Sequence, residues 1–132
     1  MAANIPADCK YTKDHEWVSV TSGNRVRVGI TEYAQNELGD VVFVELPELE
    51  QALKKGSSFG TVESVKAVSD VYAPVSGKVI GVNENLRSSP ELINQNPYGE
   101  GWILEAELES AGELESLLSA DDYEKLLSGI AK

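Results

Sequence analysis

The chain has 132 residues, enough for one domain with a real core. Its 22 acidic against 11 basic residues give a formal net charge of -11. That excludes a nucleic-acid binder, which needs a basic face, disfavours docking on anionic membranes, and favours basic partner surfaces.

Cys9 is the only cysteine, so an intrachain disulfide and a four-thiolate metal site are both ruled out, and no metal is expected. No apolar run approaches the length that spans a bilayer; Val41-Val42-Phe43-Val44 is typical of the longest. The first residues, Met1 to Asp8, lack a basic stretch followed by an apolar one, and they contain no arginine. A cytoplasmic bacterial protein is expected, or a mitochondrial one if this is the mature form of a eukaryotic chain.

In chain order, residues 1–9 are expected to be a mobile terminus. Residues 16–20 and 25–30 read as strands around the turn-rich Thr21-Ser22-Gly23-Asn24. In the second, Val26, Val28 and Ile30 alternate with Arg25, Arg27 and Gly29, as in a half-buried strand. Thr31 can cap a short helix over 32–38, with acidic Glu32 in its first turn and Gly39 as its stop. Residues 41–46 form a strand ended by Pro47, and 48–55 is open between helix and loop. Three short strands follow at 57–62, 68–72 and 78–82. Ser89-Pro90 predicts a capped helical turn over 91–94. A strand follows at 102–108, with Trp102, Leu104, Ala106 and Leu108 on one face. Ser119-Ala120-Asp121-Asp122 resembles a capping box opening a C-terminal helix, over 119–131, with Tyr123, Leu126, Leu127 and Ile130 on one face. Many short strands with frequent turns make a small barrel or sandwich with a helix packed on it. A weak internal echo, Gly39-Asp40-Val41-Val42 against Ser69-Asp70-Val71-Tyr72, places the two at equivalent points of successive strand pairs.

Two segments concentrate the functional signal. Glu63-Ser64-Val65-Lys66-Ala67 places one lysine between two strand-like runs, and Ala73-Pro74-Val75-Ser76-Gly77-Lys78-Val79 follows closely. A lysine at the tip of a hairpin stands away from the body of the domain, within reach of a modifying enzyme. On residue chemistry alone a solvated hairpin corner is the plain alternative, because lysine is a common surface residue. The turn has none of the Asn-Gly or Asp-Gly pairs that favour tight hairpins.

This hairpin resembles the lipoyl-lysine hairpin of the glycine cleavage system H proteins, and the resemblance extends along the chain. Tyr11-Thr12-Lys13-Asp14-His15-Glu16-Trp17-Val18 is similar to the family's opening segment. Blocks from Val28 to Gln35 and from Leu38 to Pro47 are similar to its next two. Phe59 to Asp70 holds the lysine, and Leu92-Ile93-Asn94-Gln95-Asn96-Pro97-Tyr98-Gly99 and Gly101-Trp102 complete the match. The resemblance implies a mostly β, lipoyl-type barrel-sandwich hybrid of short strands with small helices and a C-terminal helix, all in one carrier domain over 1–132.

The resemblance further implies a non-catalytic carrier with lipoate joined to Lys66 as an amide. Its aminomethyl cargo would pass from a pyridoxal-phosphate glycine decarboxylase to a tetrahydrofolate-dependent aminomethyltransferase, and a dihydrolipoamide dehydrogenase would reoxidise the arm. A lipoate ligase or lipoyl/octanoyl transferase would load Lys66, reading Glu63, Ser64 and Val65. A cleft for the loaded arm would use Glu16 and Asp70, with Asp14 where the family often has a small hydroxyl residue. A monomer is expected. Alternatives are a relay passing lipoate to other complexes and a biotinyl carrier, which shares the Ala73-Pro74 segment. Biotinyl lysines, however, sit between methionines, and Lys66 has Val65 and Ala67. An enzyme pairing Cys9 with His15 is a further reading, without an evident orienting group or oxyanion motif.

Overall fold

The computed structural model describes residues 5–130. Nine strands, β1 (Lys10–Tyr11), β2 (Glu16–Ser22), β3 (Arg25–Ile30), β4 (Val41–Glu45), β5 (Ala52–Leu53), β6 (Ser58–Ser64), β7 (Val68–Tyr72), β8 (Gly77–Val82) and β9 (Leu104–Leu108), are described. They form a six-stranded sheet in the order β1-β2-β3-β9-β8-β5 and a three-stranded sheet in the order β4-β6-β7, every pairing antiparallel. Four helices join them: α1 (Glu32–Leu38), α2 (Asn85–Ser88), α3 (Leu92–Gln95) and α4 (Ala120–Ile130). This is the mostly β architecture expected from the chain.

Val18, Val26 and Val28 of the large sheet and Val44, Val62 and Val71 of the small one share a single buried cluster. Each buried side chain of this size contributes about 1.5–3 kcal/mol, which makes this cluster the main source of stability. A second cluster joins Cys9, Tyr11, Trp17 and Tyr123, with the Tyr11 and Tyr123 rings stacked 4.8 Å apart. It fixes α4 on the sheet. It also holds residues of the N-terminal segment: Cys9 is buried, and Pro6 offers its carbonyl to the Tyr11 hydroxyl at 2.6 Å. The rest of that segment, 1–4, and Ala131 lie outside the described residues, as does the side chain of Ile130.

The expected cap of α1 forms as read: Thr31 accepts from the Ala34 N–H at 3.2 Å, and the Gly39 N–H closes on Gln35. Gly39 has φ of 80°, a backbone that favours glycine. The capping box of α4 reduces to Ser119, which accepts from the Asp122 N–H. The span 48–55 is not helical; it carries the short strand β5, pairing Ala52 with Lys78, so β-pairing decides what local pattern left open. Four other expectations need correction. The strand expected at 57–62 runs on to Ser64, and that at 102–108 starts only at Leu104. The helical turn comes at Leu92–Gln95, with Ser89 contributing its carbonyl and not its side chain. The two echo segments are not equivalent, since Gly39-Asp40 precedes β4 while Ser69-Asp70 lies inside β7. β1, α2 and a 3₁₀ turn at Ala111–Ser116 are too short to leave a periodic signal.

Candidate functional site

Lys66 is the middle of the three residues, Val65 to Ala67, that turn between β6 and β7, and its side chain is exposed. The turn has no residue of positive φ, so it needs no glycine. Ser64 does the work instead. Its N–H donates to the Ala67 carbonyl at 2.8 Å, and its hydroxyl oxygen accepts from the N–H groups of Lys66 and Ala67 at 3.3 and 3.1 Å. Serine offering its side chain to nearby backbone is a standard substitute for a glycine turn. Of the three residues expected to be read by a modifying enzyme, Ser64 is therefore buried inside the turn. Val65 is exposed, and Glu63 is half-buried at the end of β6.

The turn is also fixed from outside. The Val65 N–H donates to the Asp40 carbonyl at 3.0 Å. The Lys66 stem runs over Gly39, so a β-carbon there would lie 3.4 Å from the lysine Cε. Asn94, which the sequence reading did not single out, sets this end of α1: its Nδ2 donates to the Gly39 carbonyl and to Gln35 Oε1, and its Oδ1 accepts from the Val41 N–H. Asn94 is half-buried, and no local sequence pattern pairs it with the Gly39 stop.

Beside the turn is a cleft of about 270 Å³. Its walls are the Asp14-His15-Glu16 segment, α1 through Tyr33, Ala34 and Leu38, and β7, the edge strand of the small sheet. Asp14, Glu16 and Asp70 all line it. Glu16 is only 2% exposed. Its carboxylate accepts from the Thr12 hydroxyl at 2.7 Å and the Tyr72 N–H at 3.3 Å, yet burial dominates and raises its pKa to about 7. Asp14 is exposed. Asp70 is exposed too, and its carboxylate receives the Ser58 hydroxyl at 3.5 Å on the far side of β7.

Cys9 and His15 are not a nucleophile and base. The thiol's hydrogen-bond partner is Asp8, and burial pushes its pKa up to about 11, away from the reactive thiolate. His15 Nδ1 is 2.8 Å from the Tyr123 hydroxyl, which also bonds Thr31 at 2.7 Å. Burial lowers the His15 pKa.

An exposed lysine on a pinned turn, opening beside a cleft with apolar walls and buried acid, suits a long acyl arm attached as an amide. Comparison with known proteins agrees with that geometry. Residues 9–130 match the family model described as glycine cleavage H-protein. A glycine cleavage system H protein of Symbiobacterium thermophilum is 62% identical over 122 residues, covering 92% of this chain and 94% of its own. One of Listeria monocytogenes is 56% identical over 124 residues, covering 94% and 98%. A crystal structure of a glycine cleavage system H protein from Mycobacterium marinum superposes with a TM-score of 0.86 at 43% identity, covering 94% of this chain and 99% of that one.

Proposed function

The chain belongs to the glycine cleavage H-protein family, and on that premise we propose that Lys66 is the residue that carries its lipoyl group. The protein is a non-catalytic lipoyl carrier of the glycine cleavage system, its cofactor held covalently on a lysine. When bound, the dithiolane supplies the redox and group-transfer chemistry, and the protein presents and shields it. Lys66 supports the attachment by its exposure on a turn that Ser64 and Asp40 hold in one shape. Glu63 and Val65 offer the outward surface that a lipoate ligase or lipoyl/octanoyl transferase reads, while Ser64 presents them.

The cleft residues act on the carried group's amine. Glu16, with Asp70 and Asp14, forms an acid-lined shelter in which a cationic amine donates a charge-assisted hydrogen bond to a carboxylate away from water. The apolar walls from Ile30, Leu38 and Val71 suit the arm's hydrocarbon. The partners are the other components of the glycine cleavage system: a glycine decarboxylase, an aminomethyltransferase and a dihydrolipoamide dehydrogenase. Residues 1–132 make one carrier domain, working as a monomer in the cytoplasm.

The exposed lysine of the pinned turn is the observation that carries this reading. Purified chain is incubated with lipoate and a lipoate ligase, and the adduct is mapped by peptide mass spectrometry. A single lipoyl adduct on Lys66 is expected. Modification at Lys54, Lys55 or Lys78 instead would move the site and remove the basis for the cleft.

A further inference from the structure

We propose that the outer face of the β4-β6-β7 sheet is a docking surface for a protein partner with an apolar centre and a basic rim, and that this partner is the aminomethyltransferase. The register lines up Phe43, Glu63 and Val68 across the three strands, one row from the lysine turn. The inner row, Val44 and Val62, is buried in the core, so Phe43 and Val68 point the other way. They are 53% and 65% exposed, and Val65 on the turn is 69% exposed. Three large apolar side chains left in water beside a functional lysine add nothing to folding, and such patches mark interaction sites.

The next row of the same face is acidic. Glu45 stands opposite Thr61, and Thr61 opposite Asp70, and with Glu48 they line a shallow groove. Among the described residues none of these three carboxylates has an ion-pair partner; Glu45 and Asp70 receive only hydroxyl contacts, from Thr61 and Ser58. An apolar centre edged with unpaired negative charge is complementary to a partner with an apolar contact flanked by arginine or lysine.

Asp70 selects which partner. It lines both this groove and the cleft beside Glu16. A partner that meets bare Lys66 has no use for a residue of the cleft wall. One that must draw a sheltered group out gains from pairing with Asp70 on the outer side, because that takes a carboxylate away from the cleft. The proposal rests on the reading that Lys66 carries the arm and the cleft shelters it.

The test is calorimetric binding of the lipoylated chain to purified aminomethyltransferase. Joint Phe43→Ser and Val68→Ser substitution is expected to weaken the Kd about twenty-fivefold or more, about fivefold or more per anchor side chain. Glu45→Gln with Glu48→Gln should flatten its salt dependence. Both pairs are exposed, so unchanged melting temperatures are expected. The amides of Ser69 and Asp70 should shift in NMR spectra on binding. A Kd within threefold of the parent, or weakened binding to a lipoate ligase alone, would overturn the docking surface. Silent Ser69 and Asp70 amides would overturn the coupling to the cleft. Mass mapping of the parent chain separates the two failures: lipoyl-Lys66 in the parent with unaltered Kd in the variants sinks only the docking surface, whereas unmodified Lys66 in the ligase-treated parent sinks the carrier site itself.

Discussion

The Val65 N–H is bonded to the Asp40 carbonyl at 3.0 Å, so the lysine turn is moored to the end of α1. Asn94 holds the same corner through the Gly39 carbonyl and the Val41 N–H. The base of a carrier arm is thus fixed, and freedom begins only along the Lys66 side chain. Asn94→Ala leaves these groups without their partners in a half-buried corner. A loss of about 3 kcal/mol is expected in urea unfolding, at about 1 kcal/mol for each of the three side-chain hydrogen bonds lost. Ligase-catalysed lipoylation of Lys66 should slow as the turn loosens.

Lys66→Arg keeps the charge and the exposed position, and arginine cannot form the lipoyl amide. Its melting temperature should match the parent, and no lipoyl adduct should appear at any site. An adduct elsewhere in the variant would show that Lys66 is not the sole acceptor.

Glu63→Ala tests whether a carboxylate three residues before the lysine is read by the modifying enzyme. Glu63 is half-buried and has no ion-pair partner among the described residues, so the melting temperature should hold within a degree or two. The lipoylation rate is expected to fall severalfold. An unchanged rate would leave Glu63 as a solvated strand end.

Most of this site could be read from the chain because its pieces are local. Thr31, Glu32 and Gly39 announce α1 through caps that act within one turn, and the lysine turn lies in a continuous run. The cleft was legible only through the family's pattern, since Glu16 and Tyr72 meet across 56 positions. Asn94 and α1 meet across a similar gap, and no periodicity reports such a contact. The two-residue strand Ala52–Leu53 was illegible for the same reason: its partner on β8 decides it. Ser64 is expected on the recognition surface as a neighbour of Glu63, but its hydroxyl is turned inward to satisfy the backbone.

Tyr123 links α4 to both walls of the cleft. Its hydroxyl meets Thr31, which caps α1, and His15, whose backbone sits at φ of 70° beside Glu16. Tyr123→Phe keeps the ring stacked on Tyr11 and strands two polar groups. A loss of about 1–3 kcal/mol is expected. Conservation of the ring makes the hydroxyl the cause, so Tyr123→Leu should cost more.

Glu16 makes stability depend on pH in a direction opposite to most carboxylates. Its pKa rises from 4.5 to about 7 because burial penalises the charged form. Between those values the folded chain binds more protons than the unfolded chain at this residue. Its contribution is therefore complete below about 4.5 and is lost as pH rises through about 7. At about 1.4 kcal/mol per pKa unit, the swing is on the order of 3 kcal/mol. Glu16→Gln cannot ionise, and it should flatten this slope, leaving the variant more stable than the parent at pH 8 in urea unfolding. A parent whose stability does not fall over this window would place the Glu16 carboxylate in water. A cationic amine in the cleft stabilises the charged form, so the loaded chain should ionise Glu16 at lower pH than the bare one. Removing the carboxylate should then speed loss of the cargo: formaldehyde release from the loaded chain is expected to be faster in Glu16→Ala, with lipoylation unchanged. Equal release would deny Glu16 a sheltering role while leaving its effect on stability intact.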